Sequence, residues 1–127
     1  MTDHTAEKLY LLMRALSNLR ISPVGNEYDL HDQIAAALKS GGFVVMHEEV
    51  IAPRCRIDFW VDGIGIEVKR GTVQRAKLLT QCRRYLESER LEALIVVLDK
   101  NVNLPSEIAQ KPVRVFGLNR LWGIALP

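Results

Sequence analysis

The sequence predicts an α/β chain of the α+β kind, a mixed central sheet flanked by helices with an extra helix at the N-terminus. Three observations carry this. Residues 5–20 and 27–39 place leucine and isoleucine at helical spacing. Residues 55–69 form two strand-like runs around Asp62-Gly63, the strongest short-range hairpin signal. Residues 92–98, Glu-Ala-Leu-Ile-Val-Val-Leu, follow a helical stretch as a near-continuous apolar run, which predicts a strand covered on both faces and reached by a right-handed crossover.

A chain of 127 residues suits a single domain with one core. Its 48% hydrophobic and 25% charged content excludes disordered and fibrous classes. No apolar run approaches the roughly 18–20 residues of a membrane span, so no membrane partner is expected. The N-terminus lacks the basic and apolar stretches of a secretory signal. Cys55 and Cys82 stand far apart, and with His4, His31 and His47 they make no zinc spacing. A cytoplasmic location with reduced cysteines is the expectation.

The first helix, 5–20, carries Leu9, Leu12, Met13, Leu16 and Leu19 on one face, with Thr5 as its candidate cap. Ser22-Pro23-Val24-Gly25-Asn26 breaks the chain. The apolar stripe suits either the core or a second copy of the chain. The second helix, 27–39, ends at Gly41-Gly42, and its apolar face is Leu30, Ile34, Ala37 and Leu38. Glu27 shares that face at the first turn, where an acid is also favoured simply by the helix dipole. His31 lies one turn on and receives no role. Residues 43–51 read as the first strand; Glu48 and Glu49 point to opposite faces, and neither is assigned to a site.

In the hairpin, a two-residue turn at Asp62-Gly63 pairs Val61 with Ile64 and sets Asp58 opposite Glu67. Alternation puts Lys69 on the face of Glu67, and Arg56 and Trp60 on that of Asp58. Ile57, Phe59, Val61, Ile64, Ile66 and Val68 take the other face as a core set. Opposed side chains sit roughly 4.5–5.5 Å apart at Cβ, where like charges repel. Two carboxylates so placed, with a lysine beside them, suit a hard divalent cation such as Mg²⁺.

A third helix, 73–89, has Leu78, Leu79, Cys82, Tyr85 and Leu86 as its inner face, with Gln81 on the edge, where an amide could also be a locally satisfied buried group. Net charge is only +2, but Arg54, Arg56, Lys69, Arg70, Arg75, Lys77, Arg83 and Arg84 crowd residues 54–84 against three acids. Such a local excess suits a phosphate backbone. After strand 92–98, residues 104–111 read as a short helix with Pro105 in its first turn. Residues 113–116 read as a last strand, and 118–125 as irregular or helical. The expected order is α-α-β-β-β-α-β-α-β.

Asp58, followed after a short hairpin by Glu67-Val68-Lys69, resembles the PD-(D/E)xK nuclease superfamily. Ile57 stands where a proline often precedes the aspartate, a mild departure. Gln81-Cys82-Arg83-Arg84-Tyr85 is similar to the Q-x-x-x-Y motif of the RecB-type and lambda-exonuclease-type branch. The resemblance covers roughly residues 27–98 and implies a restriction-endonuclease-like αβββαβ core, leaving the helix 5–20 and a β/α extension 104–127 outside it. It implies a metal-dependent nuclease hydrolysing phosphodiester bonds in double- or single-stranded DNA. Asp58 and Glu67 would hold Mg²⁺ or Mn²⁺, the Val68 carbonyl would be a further ligand, and Glu27 would complete the site or hold a second ion. Lys69 would orient the attacking water, and Gln81 would support the site. Arg56 and Tyr85 would contact substrate, with Arg70, Arg75, Lys77 and Arg84 on the phosphate backbone. A homodimer through the first helix, or a helicase or recombination partner, fits a nuclease of this size. The rival expectation is a catalytically inactive module that keeps the fold to bind nucleic acid or a protein.

Overall fold

The computed structural model describes residues 1–19 and 27–119, the side chains of residues 27 and 28 excepted. In chain order the elements are α1 (Asp3–Leu16), α2 (Glu27–Ser40), β1 (Met46–Ala52), β2 (Cys55–Val61), β3 (Ile64–Lys69), α3 (Arg75–Leu86), β4 (Ala93–Leu98), β5 (Glu107–Ile108) and β6 (Lys111–Gly117). The six strands form one mixed sheet in the order β1-β2-β3-β4-β6-β5. β1, β2 and β3 are antiparallel neighbours, while β3, β4 and β6 run parallel.

The hairpin has the expected geometry. Asp62 (φ 46°) and Gly63 (φ 90°) both take the positive φ that a tight two-residue turn demands. Val61 pairs with Ile64 and Phe59 with Ile66. β4 is buried along its whole length. Its Ala93, Ile95 and Val97 pack with α1 and α2, and its Leu94, Val96 and Leu98 pack with α3. The helices therefore cover both sides of the sheet, as its apolar run implies.

Alternation along β2 fails at one point. Phe59 and Val61 pack on the α1/α2 side, but Ile57 packs with α3. The expected single face for all three is corrected here. Opposite this point, β1 shows the same break: His47 pairs with Phe59 and Glu49 with Ile57, while Glu48 has no ladder partner and a φ of 52°. Both strands exchange faces at the Glu48/Asp58 level with the register unchanged, while the register shift of this pair falls further along, between Val50 and Ala52.

Three other expectations are corrected. Thr2, not Thr5, caps α1 by accepting the Thr5 N–H. Thr5 is buried and donates its hydroxyl to Glu92 at 2.7 Å, and Lys8 adds an ion pair to Glu92 at 2.8 Å. Leu9, Leu12, Leu16 and Leu19 lie in the core, so the apolar stripe of the first helix is not available as a dimer interface; Tyr10 and Leu11 are its exposed apolar residues. The helix expected over 104–111 is instead the β5–β6 hairpin, turning at Ala109 (φ 53°) and Gln110 (φ 63°). One turn or two of isolated helix has little to sustain it, and Pro112 disfavours helix in the residue before it. A strand there gains pairing with β6. Residues 120–125 lie outside the described residues. No helix among those described is long and apolar enough to cross a membrane.

Gly65 on β3 faces Ile57 and Leu91, and a Cβ there would meet the Ile57 methyl and lie 2.8 Å from Leu91 Cδ2. Gly65→Ala is expected to destabilise the fold by about 1–3 kcal/mol through overpacking, measured by urea denaturation.

Candidate functional site

β3 turns Ile66 and Val68 toward α1 and α2, so alternation turns Glu67 and Lys69 toward α3. Glu67 is 4% exposed, and a carboxylate so buried needs donors in place of water. Its Oε2 accepts from the Tyr85 hydroxyl at 2.8 Å and from Gln81 Nε2 at 3.1 Å, and Lys69 Nζ lies 3.3 Å away. Gln81 and Tyr85 stand one turn apart on α3, which lets both reach one oxygen. Gln81 Nε2 also donates to the Tyr85 oxygen at 2.7 Å.

Asp58 arrives from the point where β1 and β2 exchange faces. The β2–β3 ladder ends at Phe59–Ile66, and side chains take over its next donors. Val68 N–H donates to Asp58 Oδ2 at 2.8 Å, and Asp58 N–H to Glu67 Oε1 at 3.3 Å. The expected juxtaposition of Asp58, Glu67 and Lys69 is therefore present.

Burial, and next the charge of Asp58, push Glu67 up from the ordinary carboxylate value to about 7, against the Tyr85 hydrogen bond and Lys69. Burial, then the charge of Glu67, raises the Tyr85 phenol, which stays protonated as a donor. The same two causes push the Cys82 thiol up to about 11. Cys55 and Cys82 are both buried and unbonded.

The sequence left His31 without a role, yet its Nε2 lies 3.8 Å from Asp58 Oδ2. That nitrogen is buried and makes no hydrogen bond among the described residues. The ring's other nitrogen, Nδ1, lies 3.3 Å from His47 Nε2. Glu27 opens α2 one turn earlier, but its side chain lies outside the described residues. Among the described residues, no group of three or more His, Cys, Asp or Glu is drawn together to hold a metal ion. The acids come as a pair, flanked by Lys69 and His31.

The residues expected on nucleic acid divide. Lys77 is exposed, and with Lys69, Arg70, Thr72, Gln74 and Gln81 it lines a cleft of about 230 Å³. Asp99, unmarked in the sequence, holds that loop by accepting from Gly71 N–H at 2.7 Å and Arg70 Nε at 3.3 Å. Arg75 Nε donates to the Asn103 carbonyl at 2.8 Å, and Arg84 to the Arg54 carbonyl. Arg56 is exposed on β2. Tyr85 is corrected: it is 4% exposed and its hydroxyl is engaged by Glu67 and Gln81, so it braces the acid from inside. No protein-family model, curated protein or solved structure matches the chain.

Because Glu67 holds its proton more tightly in the folded chain than when unfolded, its contribution to stability is greatest below the ordinary carboxylate value and declines as pH rises toward 7. In EDTA at pH 8, Glu67→Gln is expected to be more stable than wild type by about 1–3 kcal/mol. The gain should vanish as pH falls toward 4.5, the ordinary glutamate value. Denaturant titrations across this pH range check it.

Proposed function

We propose that this chain is a Mg²⁺- or Mn²⁺-dependent nuclease of the PD-(D/E)xK type, acting on phosphodiester bonds in DNA, with a restriction-endonuclease-like core. One observation carries the reading: Asp58 and the buried Glu67 face each other where the ladder ends, with Lys69 on the same edge. Two carboxylates and one lysine leave a net negative charge that a divalent cation would offset.

The residues fit such an ion. Mg²⁺ keeps several waters and is commonly held through one or two carboxylates plus substrate phosphate, so a pair of acids is sufficient. His31 Nε2, buried, aimed at Asp58 and without a hydrogen bond among the described residues, supplies a further donor. The Val68 carbonyl on β3 and Glu27 at the start of α2 are the remaining candidates. A bound ion would supply Lewis acidity toward a phosphoryl oxygen and acidify a water.

The protein's own groups divide the rest of the work. Gln81 and Tyr85 hold Glu67 in one orientation. Lys69 orients the attacking water and meets charge that develops on the phosphate. Lys77, exposed along the adjoining cleft, holds a neighbouring phosphate without reading sequence, while Arg70, paired with Asp99, shapes the loop beside it. The unpaired cysteines are compatible with a reducing, cytoplasmic setting.

The test is cleavage of supercoiled, linear and single-stranded DNA with Mn²⁺, Mg²⁺ or EDTA. Metal-dependent cutting is expected, and Asp58→Ala, Glu67→Ala and Lys69→Ala should each lower it by at least about a hundredfold. Binding that is indifferent to metal, with no cut strands, would instead identify a non-catalytic nucleic-acid module. Gln81→Ala should reduce turnover with Lys69 in place. Asp58→Asn should melt in EDTA no lower than wild type, and its rise in melting temperature on adding Mn²⁺ should shrink sharply.

A further inference from the structure

His31 and His47 come from different elements, α2 and β1, and meet over Phe59. His47 stacks on the Phe59 ring at 4.8 Å between centroids and 19° between planes. His31 lies 5.3 Å from the same ring, tilted by 50°, and meets His47 edge-on at 69°. Phe59 is fully buried, so both imidazoles rest on a fixed platform. This geometry brings His31 Nδ1 to within 3.3 Å of His47 Nε2 and leaves His31 Nε2 turned to Asp58.

A neutral imidazole carries one proton, and the hydrogen bond at one nitrogen decides what the other offers. If His31 Nδ1–H donates to His47 Nε2, the His31 Nε2 lone pair faces Asp58. If the proton sits on Nε2, that nitrogen offers no lone pair. We propose that His47 is a positioning residue of the metal site: by accepting the His31 Nδ1–H, it fixes the tautomer and ring angle that present Nε2 as a nitrogen donor beside Asp58. Histidines that bind metal are held in this way by a hydrogen-bonded partner, whose loss typically lowers metal affinity about 10- to 100-fold. The proposal rests on the metal-site reading above. It also implies a preference, since a nitrogen donor favours Mn²⁺ over Mg²⁺, which is served best by oxygen.

His47 is exposed, so its substitution leaves the core intact. His47→Phe keeps a ring on Phe59 and removes the acceptor; His47→Gln removes the ring and keeps an acceptor. Calorimetric titration of the metal-free full chain with Mn²⁺ and Mg²⁺ reads the effect without recourse to cleavage. The expected result is Mn²⁺ affinity lowered about tenfold or more in His47→Phe, a smaller loss for Mg²⁺, and recovery of most of the Mn²⁺ affinity in His47→Gln. Melting in EDTA should be nearly unchanged for His47→Phe. Imidazole ¹⁵N shifts of the Mg²⁺-loaded wild type should place the His31 proton on Nδ1.

Wild-type Mn²⁺ affinity in His47→Phe overturns the proposal, as does a His31 proton on Nε2 in the Mg²⁺-loaded protein. So does a pattern in which only EDTA stability falls, which would make His47 a packing residue. These failures are distinct from failure of the metal site itself. In that case wild type would show no metal binding, and Glu67→Gln would leave the Mn²⁺ and Mg²⁺ titrations unchanged.

Discussion

Taking a carboxylate out of water costs several kcal/mol unless donors replace the solvent. Glu67 meets that cost on one oxygen with a phenol, an amide and an ammonium. Each donor comes from a place the fold had to provide. Lys69 lies two residues on along the same strand, and Gln81 and Tyr85 lie on the helix that crosses from β3 to the parallel strand β4. A shift in the packing of α3 on β3 would strand the acid without partners. The position of that helix and the orientation of Glu67 are therefore a single constraint, and the buried Leu78, Cys82 and Leu86 that seat α3 are part of it.

Asp58 depends on a different device. In a regular strand it would point wholly to one side of the sheet. Because β1 and β2 exchange faces at the Glu48/Asp58 level, its carboxylate lies between the two layers. From there it reaches the Val68 amide on one side and faces His31 of α2 on the other. The positive φ at Glu48 is a local cost on a residue that is not glycine. Such strain persists where the surroundings over-determine it, and here the stacked rings of His47 and Phe59 stand immediately beside it.

Much of this was legible in the sequence because it is local or periodic. The Asp62-Gly63 turn sets the pairing of Val61 with Ile64, and counting from it reaches Asp58, Glu67 and Lys69. The four-residue spacing of Gln81 and Tyr85 puts both on one side of α3. What escaped depends on contacts between distant segments. His31 and His47 carry no pattern that joins a helix to a strand, and the one signal was that His31 follows Glu27 by a turn. The face exchange at Asp58 breaks period-two alternation, so the side that Ile57 takes does not follow from its place in the strand. In the segment 104–111 a proline near the start suits a helix, whereas the partner that decides the matter, β6, begins only at Lys111.

The attachment of α1 sets an order on the making of this protein. Thr5 and Lys8 end on Glu92, and the hydrogen bond from Thr5 spans 87 residues of chain. During synthesis α1, with Leu9, Leu12 and Leu16, is made before the elements that bury it. The strand that shares their cluster and the acid that anchors them leave the ribosome much later. At roughly 5–20 residues per second, that interval is on the order of several seconds. Through it Leu9, Leu12 and Leu16 have Leu30, Ile34 and Leu38 of α2 to pack against but not yet the sheet, so the two helices can pair before the acid that pins the first of them is made.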